Sequence, residues 1–226
     1  MTACFVTATG TDIGKTFVTS SLIRQLRRQG RPVSALKPVV TGIDPANAVD
    51  GDPAMLLEAL GCPVNEAEIA AISPWRFKAP LAPDMAARRE GKAIDFGGLL
   101  RWCHDQVARN QGHLFIEGVG GVMVPLDESH TVLDWMQDLH LPVLLVAGSY
   151  LGTLSHTLSS LEVLAGRGLN VAAVAVSETP GSAVPLDETV DELARFAKRV
   201  PVVAVPRLAD PAVDHPSFQA LLDRIH

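Results

Sequence analysis

The sequence predicts an α/β fold in which a doubly wound, mostly parallel sheet carries helices on both faces. Short continuous apolar segments, which are typical of strands buried on both faces, recur along the 226-residue chain. Segments of helical length separate most of them, and this alternation favours a parallel sheet covered on both sides. The chain shows no internal repeat and no low-complexity linker, so residues 1–226 are predicted to form one domain.

The predicted elements follow in chain order. The predicted strands are Cys4–Ala8, Val33–Leu36, Leu114–Ile116, Val143–Ala147, Val171–Val176 and Val202–Val205. The predicted helices are Lys15–Gln29, closed by Gly30, then Phe96–Ala108, Leu154–Ala165 and Asp187–Arg199. The region from Pro38 to Gly98 is rich in Gly, Pro and Asp and has only short helical pieces. Long irregular connections tend to be functional, and ligands of doubly wound sheets bind at the carboxyl ends of the strands, so the site is expected there.

Composition excludes several functional classes. Nineteen Lys and Arg residues against 25 Asp and Glu give a net charge of −6, which argues against nucleic acid as a partner. The three cysteines, Cys4, Cys62 and Cys103, lack the spacing of a zinc site or a disulfide framework and favour a reducing, cytoplasmic location. The first basic residue is Lys15, so we expect no secretory leader. No apolar run approaches the roughly 20 residues that span a bilayer, which argues against membrane insertion.

The segment Thr9–Thr16 lies between the first predicted strand and the first predicted helix and predicts a phosphate-binding loop. Gly10 and Gly14 let backbone N–H groups turn inward, and the helix N-terminus adds its positive dipole end. Lys15 supplies a charge for the β- and γ-phosphates, and the hydroxyl of Thr16 is suited to ligate Mg²⁺.

Three charged residues are expected at the same edge of the sheet. Lys37 follows the second strand, where an ammonium stabilises a transferring phosphoryl group, although a solvated strand-end lysine is an equally good interpretation. Glu117 ends a strand and precedes a glycine-rich turn, a position from which a carboxylate holds Mg²⁺ directly or through water. Asp52, followed by Pro53, is either a helix N-cap or a second carboxylate near the metal. Asp50 is the competing choice.

Four motifs, in this order and spacing, resemble those of the dethiobiotin synthetases. They are Gly10-Thr-Asp-Ile-Gly-Lys-Thr16, Lys37-Pro-Val-Val-Thr-Gly42, Glu117-Gly-Val-Gly-Gly121 and Leu151-Gly-Thr-Leu-Ser-His156. The resemblance spans nearly the whole chain. It implies a P-loop ligase domain over residues 1–226 that uses ATP and Mg²⁺ to close a cyclic urea from 7,8-diaminononanoate and CO₂ in biotin biosynthesis. It also implies a homodimer with the substrate near the subunit interface.

The resemblance implies a role for each site residue. The residues implied in catalysis are Thr11, Asp12, Lys15 and Lys37, and those implied in metal binding are Thr16, Asp52 and Glu117. The residues implied in nucleotide binding are Asp12, Ile13, Gly14, Lys15, Thr16, Phe17, Asp52, Glu117, Gly118, Val119 and Gly120, with Ser177, Glu178, Pro206, Arg207 and Leu208 beside the base. Thr41 is expected at the nitrogen end of the substrate, and Gly152, Thr153, Leu154 and Ser155 at its carboxylate. Ser177 replaces an Asn that is common in the family, which leaves the nucleotide preference open.

Two other functional classes remain as alternatives. A partition-type switch ATPase uses the same sheet, but its signature lysine would stand at Gly10, and the C-terminal segment here is not a basic amphipathic helix. The synthetase subunit of a glutamine-dependent amidoligase would need a glutaminase, and none of the three cysteines has a recognisable nucleophile context.

Overall fold

The computed structural model describes residues 2–43, 51–208 and 214–225. In these ranges a six-stranded parallel sheet has the order β2-β5-β1-β6-β7-β8, and a small parallel sheet pairs β3 with β4. The strands are β1 (Thr2–Ala8), β2 (Val33–Leu36), β3 (Val39–Thr41), β4 (Trp75–Phe77), β5 (His113–Glu117), β6 (Val143–Gly148), β7 (Val171–Ser177) and β8 (Val202–Val205). The predicted doubly wound parallel fold is therefore confirmed.

All but the last of the described helices lie between strands in chain order, and the last follows β8. They are α1 (Lys15–Arg28), α2 (Asp52–Leu60), α3 (Glu66–Ile72), α4 (Pro83–Arg89), α5 (Phe96–Arg109), α6 (Val132–Leu139), α7 (Thr153–Gly166), α8 (Leu186–Phe196) and α9 (Pro216–Leu222). Helix α1 packs on α2 and α9, α5 packs on α6, and α7 packs on α8. No helix in the described ranges is both long enough and apolar enough to cross a membrane.

The core is formed where the central strands are covered on both faces. Residues 143–147 of β6 are all fully buried, although successive side chains of a strand point to opposite faces. Helices must therefore cover both sides of the sheet. Phe5 of β1 and Trp135 of α6 meet edge to face with their ring centroids 4.9 Å apart, an arrangement that aromatic pairs prefer.

All six strands of the main sheet run in one direction, so their carboxyl ends share one edge. At this edge the loops after β1, β2 and β5 lie side by side, because β1 pairs with β5 and β5 pairs with β2. The topology alone therefore brings together three of the motifs found in the sequence.

Candidate active site

The loop between β1 and α1 is the first part of the site. Lys15 is buried, and its ammonium donates to the carbonyl oxygens of Gly10 at 3.1 Å and Gly120 at 2.8 Å. One side chain therefore joins the loop after β1 to the loop after β5. Asp12 and Gly14 have φ angles of 56° and 104°, and left-handed residues of this kind help a loop to present its N–H groups to an anion.

Lys37 directly follows β2 and is only 2% exposed, so the interpretation as a solvated strand-end lysine is wrong. Its Nζ atom lies 2.6 Å from Oε1 of Glu117 and 2.8 Å from Oδ2 of Asp52. It also donates to the carbonyl oxygen of Gly118 at 2.9 Å. Residues from three separate segments of the chain thus meet at one ammonium group.

Asp52 begins α2, and of its two interpretations the one as the N-cap is wrong. Gly51 occupies the cap position, and no side chain caps this helix end. The carboxylate of Asp52 pairs with Lys37 instead, which favours the interpretation of Asp52 as a charged group of the site. The competing residue, Asp50, lies outside the described residues.

The two lysines differ in their electrostatic environment. Burial, and then the charge of Lys37, lower the pKa of Lys15 to about 8, although Glu117 and Asp52 partly offset this effect. Burial acts on Lys37 in the same direction, but the adjacent carboxylates of Glu117 and Asp52 outweigh it and raise its pKa above the ordinary value. Burial would raise the pKa of Asp52, whereas its ion pair with Lys37 outweighs burial and lowers it.

Thr16, Asp52 and Glu117 form a donor set suited to Mg²⁺. The hydroxyl of Thr16 donates to Oε1 of Glu117 at 2.7 Å. The other carboxylate oxygen of Glu117, Oε2, is buried and has no hydrogen-bond partner among the residues that the structure describes. Buried polar atoms in proteins nearly always have a partner, so this unpaired oxygen indicates a position for a bound ion or water. Mg²⁺ is commonly bound by one or two carboxylates together with substrate phosphates, so the residues present fit this ion.

A cavity of about 450 Å³ opens beside these groups. Its lining contains Lys15, Lys37 and Asp52, together with Thr41 at the end of β3 and the predicted catalytic residues Thr11 and Asp12. Gly14, Thr16, Phe17, Val119 and Gly120 also line it. The lining of this cavity therefore contains eight of the sixteen residues predicted for nucleotide binding and one of the predicted substrate residues, Thr41.

A second cavity, of about 360 Å³, adjoins the first. Four residues, Asp12, Gly14, Phe17 and Met55, line both cavities, and Ile13 lines only the second. The predicted base-binding residues Ser177, Glu178, Arg207 and Leu208 also line the second cavity. Oε2 of Glu178 accepts a hydrogen bond of 2.8 Å from the backbone N–H of Arg207, which holds the two segments together. Pro206, also predicted here, precedes Arg207 but is not part of the lining.

The predicted carboxylate-binding segment, 152–155, lies apart from both cavities. Gly152 caps α7 with a φ angle of 100°, and the hydroxyl of Thr153 is used within the fold, where it donates to the carbonyl oxygen of Gly148 at 2.7 Å. A third cavity, of about 320 Å³, extends from Thr11 along α7 to Val163. Helix α7 therefore lies beside the phosphate loop, but within the described residues this segment is not joined to the site.

Sequence reasoning missed the apolar wall of the site. Val40, Ile43 and Met55 line the first cavity, and Met55 also lines the second. Thr179 and Pro180 complete the second cavity beside Glu178. Apolar residues in short elements give no chemical signal in the sequence, because core packing explains them equally well.

Comparison with known proteins identifies close relatives. A family model described as an AAA domain matches residues 2–212. The ATP-dependent dethiobiotin synthetase BioD of Acidiphilium cryptum is 44% identical, with 99% of this chain and 98% of that protein aligned. The enzyme of the same name from Methylobacterium nodulans is 47% identical over 87% of this chain and 90% of that protein.

Solved structures with the same fold are more distant in sequence. The MinC:MinD cell division complex of Aquifex aeolicus matches with a TM-score of 0.59 at 13% identity, over 100% of this chain and 94% of that chain. The cell division ATPase MinD of Pyrococcus furiosus matches with a TM-score of 0.57 at 17% identity, over 100% and 98%. At these identities the likeness shows a shared P-loop fold.

Proposed function

Because the chain belongs to the ATP-dependent dethiobiotin synthetase family and catalyses its reaction, we propose that the site described above carries out that reaction with a definite division of roles. In the reaction, 7,8-diaminononanoate and CO₂ give a cyclic urea while ATP becomes ADP and phosphate. One amine and CO₂ form a carbamate, which attacks the γ-phosphate. The second amine then closes the ring and expels phosphate. The switch ATPase and the amidoligase subunit are not favoured, since the curated relatives are named dethiobiotin synthetases.

The cluster of two ammonium groups and two carboxylates beside one cavity, with Lys15, Lys37 and Asp52 in its lining and Glu117 buried behind them, is the observation that supports this proposal most strongly. Carbamate and γ-phosphate are both anions, so their approach requires fixed cations between them. Lys15 binds the phosphates from the loop, and Lys37 stabilises the charge that develops on the transferring group. Both lysines are almost fully buried and hydrogen-bonded, so both positive charges are present at the site before substrate binds.

Thr16, Asp52 and Glu117 would hold Mg²⁺ in this proposal. The ion would neutralise phosphate oxygens and fix their orientation. The bonds of Thr16 and Lys37 to Glu117 keep these side chains together in the protein without the ion.

The remaining predicted residues bind the two organic substrates. Thr41, Thr11 and Asp12 line the first cavity, where they would contact the nitrogen end of the diamine. Gly152, Thr153, Leu154 and Ser155 would bind its carboxylate at the N-terminus of α7. Holding the diamine in one conformation promotes ring closure, because an intramolecular reaction benefits from effective concentration. The nucleotide base would lie in the second cavity, beside Ser177, Glu178 and the segment 206–208.

We further propose that residues 1–226 act as one ligase domain and that two copies form a homodimer through the face that carries the start of α7. Leu151 there is 90% exposed, and Leu154 one turn later is 37% exposed. A second copy packed on these leucines would remove them from water and would close the proposed carboxylate site.

The direct test is phosphate release from Mg²⁺, ATP, bicarbonate and 7,8-diaminononanoate, with each component omitted in turn and the product identified by mass. We expect release that requires all four components, together with the cyclic urea. Release without the diamine would contradict the proposal and favour a switch ATPase. Release only with a different nucleoside triphosphate would direct attention to Ser177.

A further inference from the structure

The ammonium of Lys37 lies between the two carboxylates that the proposed function assigns to the metal. Its distances to Oδ2 of Asp52 and Oε1 of Glu117 are 2.8 and 2.6 Å, and its third contact is the carbonyl oxygen of Gly118 at 2.9 Å. A protonated lysine has three donors, and here each has an acceptor within the protein. In this arrangement Lys37 has no donor left for a phosphoryl oxygen.

The same position cannot hold two cations. A magnesium ion bound to the same two oxygens, Oδ2 of Asp52 and Oε1 of Glu117, would lie about 2.0–2.1 Å from each of them, inside the space that the ammonium occupies. Thr16 gives a second indication, because its hydroxyl also donates to Oε1 of Glu117, so this oxygen already accepts two hydrogen bonds, one from Thr16 and one from Lys37.

We propose that Lys37 holds the place of the divalent cation in the ligand-free protein and leaves Asp52 and Glu117 when the cation binds. This inference rests on the proposed function, since that function makes these residues metal ligands. The exchange frees two donors of Lys37 at the moment when the metal and the nucleotide are in place. The ammonium is thereby delivered to the transferring phosphoryl group only in the loaded site.

The exchange also accounts for the stability of the carboxylate pair without metal. Glu117 is fully buried, and a buried carboxylate without a compensating charge is strongly destabilising. Lys37 supplies that charge in the free protein, and the cation supplies it in the loaded protein. In the alternative arrangement, the cation binds at the buried oxygen Oε2 of Glu117 and Lys37 keeps its present contacts.

Manganese affinity in the absence of nucleotide distinguishes the two arrangements. Mn²⁺ shares the oxygen preference of Mg²⁺, and its free fraction can be followed by electron paramagnetic resonance. The variants are Lys37→Met and, as a matched control, Lys15→Met. Both remove one positive charge from the same cavity, but only Lys37 contacts the carboxylates in the described structure. At pH 7 both lysines are mainly charged, because even the lowered pKa of Lys15 is about 8.

We expect Lys37→Met to tighten Mn²⁺ binding about tenfold or more and Lys15→Met to change it less than about threefold. In the wild type, Mn²⁺ must displace the ammonium of Lys37 from the carboxylates, whereas Lys15 only repels the ion from a greater distance. Thermal unfolding gives a second readout, in which Mn²⁺ should raise the midpoint of Lys37→Met more than that of the wild type. Equal gains in affinity for the two variants, or no gain for Lys37→Met, would overturn the exchange.

The wild type provides a test that does not depend on a variant folding. In a crystal structure with Mn²⁺ and ADP, we expect the metal at Asp52 and Glu117 and Nζ of Lys37 beyond hydrogen-bond distance of both. Metal at these residues with either Lys37 contact retained would contradict the exchange but leave the proposed function intact. Metal bound elsewhere in the site would contradict the metal assignment itself and the exchange with it.

Discussion

At the scale of single residues, the proposed function gives Lys37 the most specific chemical role. In that proposal its ammonium stabilises the negative charge that develops on the transferring phosphoryl group, and removing one such group from an active site commonly costs about 10²–10³-fold in turnover. We expect Lys37→Ala to lose activity on this scale while ADP still binds, since the phosphate loop and Lys15 are unchanged. Steady-state kinetics and calorimetric titration with ADP measure the two effects.

The exposed Lys78 serves as the control for this substitution, because Lys78→Ala removes the same charge away from the cavity. Lys78→Ala should retain turnover, and a thermal melt should show that Lys37→Ala is folded at the assay temperature. Full activity in a folded Lys37→Ala protein would show that this lysine takes no part in the reaction.

Lys15 makes nucleotide binding dependent on pH. Its pKa is lowered to about 8 in the free protein, chiefly by burial and then by Lys37. A bound triphosphate favours the charged form and raises this pKa again, so binding must take up protons at and above pH 8. Affinity should therefore be highest below about pH 8 and fall as the pH increases toward the pKa of the complex.

Calorimetry of ADP binding at pH 8.5, repeated in buffers of different ionisation enthalpy, measures this proton uptake. Lys15→Arg keeps the charge at all accessible pH values, so the uptake should disappear in this variant. An uptake of the same size in Lys15→Arg would show that another group titrates.

At the scale of elements, the junction between the phosphate loop and α1 depends on glycine. Gly14 has a φ angle of 104°, and a Cβ atom added there would lie 2.7 Å from Oγ of Ser177. We expect Gly14→Ala to combine a left-handed backbone cost of about 1–2 kcal/mol with an overpacking cost of about 1–3 kcal/mol. The free energy of unfolding from urea denaturation measures the sum.

Gly30 is the matched control, because it follows the other end of α1 with a φ angle of 67° and nothing within 4 Å of an added Cβ. Gly30→Ala should show the backbone cost alone. Ser177→Ala removes the hydroxyl that an alanine at Gly14 would meet, so the double variant should be less destabilised than the sum of the singles. Strict additivity would mean that this contact is not the cause.

The main sheet could be predicted because its strands are continuous apolar runs, and all six were confirmed. The smaller sheet could not, since Val39–Thr41 and Trp75–Phe77 are three residues each and too short to show a period. The predicted helix Asp187–Arg199 extends beyond the observed C-terminal end of α8. This helix ends at Phe196, because Lys198 has a φ angle of 59° and cannot continue it.

The site was predictable where a motif is local and was not predictable where a contact joins distant segments. Lys15 and Thr16 follow from the loop in which they lie. The partners of Lys37 depend on the tertiary fold, since Glu117 is 80 positions away and Asp52 belongs to a helix whose placement no local pattern specifies. For this reason the sequence alone does not decide whether Asp52 is a helix N-cap or a metal ligand.

At the scale of the whole molecule, the protein and its nucleotide both carry a net negative charge, so their overall charges repel each other. The chain carries a net charge of −6, and ATP is a polyanion. Attraction must therefore come from local groups, namely the N-terminus of α1 and the ammonium groups of Lys15 and Lys37. Because both lysines are buried, added salt should screen their interaction with nucleotide less than that of surface charges.

Self-association is the prediction that involves the whole molecule. If α7 lies at a dimer interface, an acidic residue at the 90% exposed Leu151 would bury a charge there. Leu151→Asp should weaken the dimer about tenfold or more and raise the KM for the diamine, because the proposed carboxylate site is adjacent. Phe196→Asp, on α8 and 55% exposed, is the control and should leave the dimer intact. Sedimentation equilibrium measures the mass of each protein. A monomeric wild type, or equal behaviour of the two variants, would place the interface elsewhere or remove it.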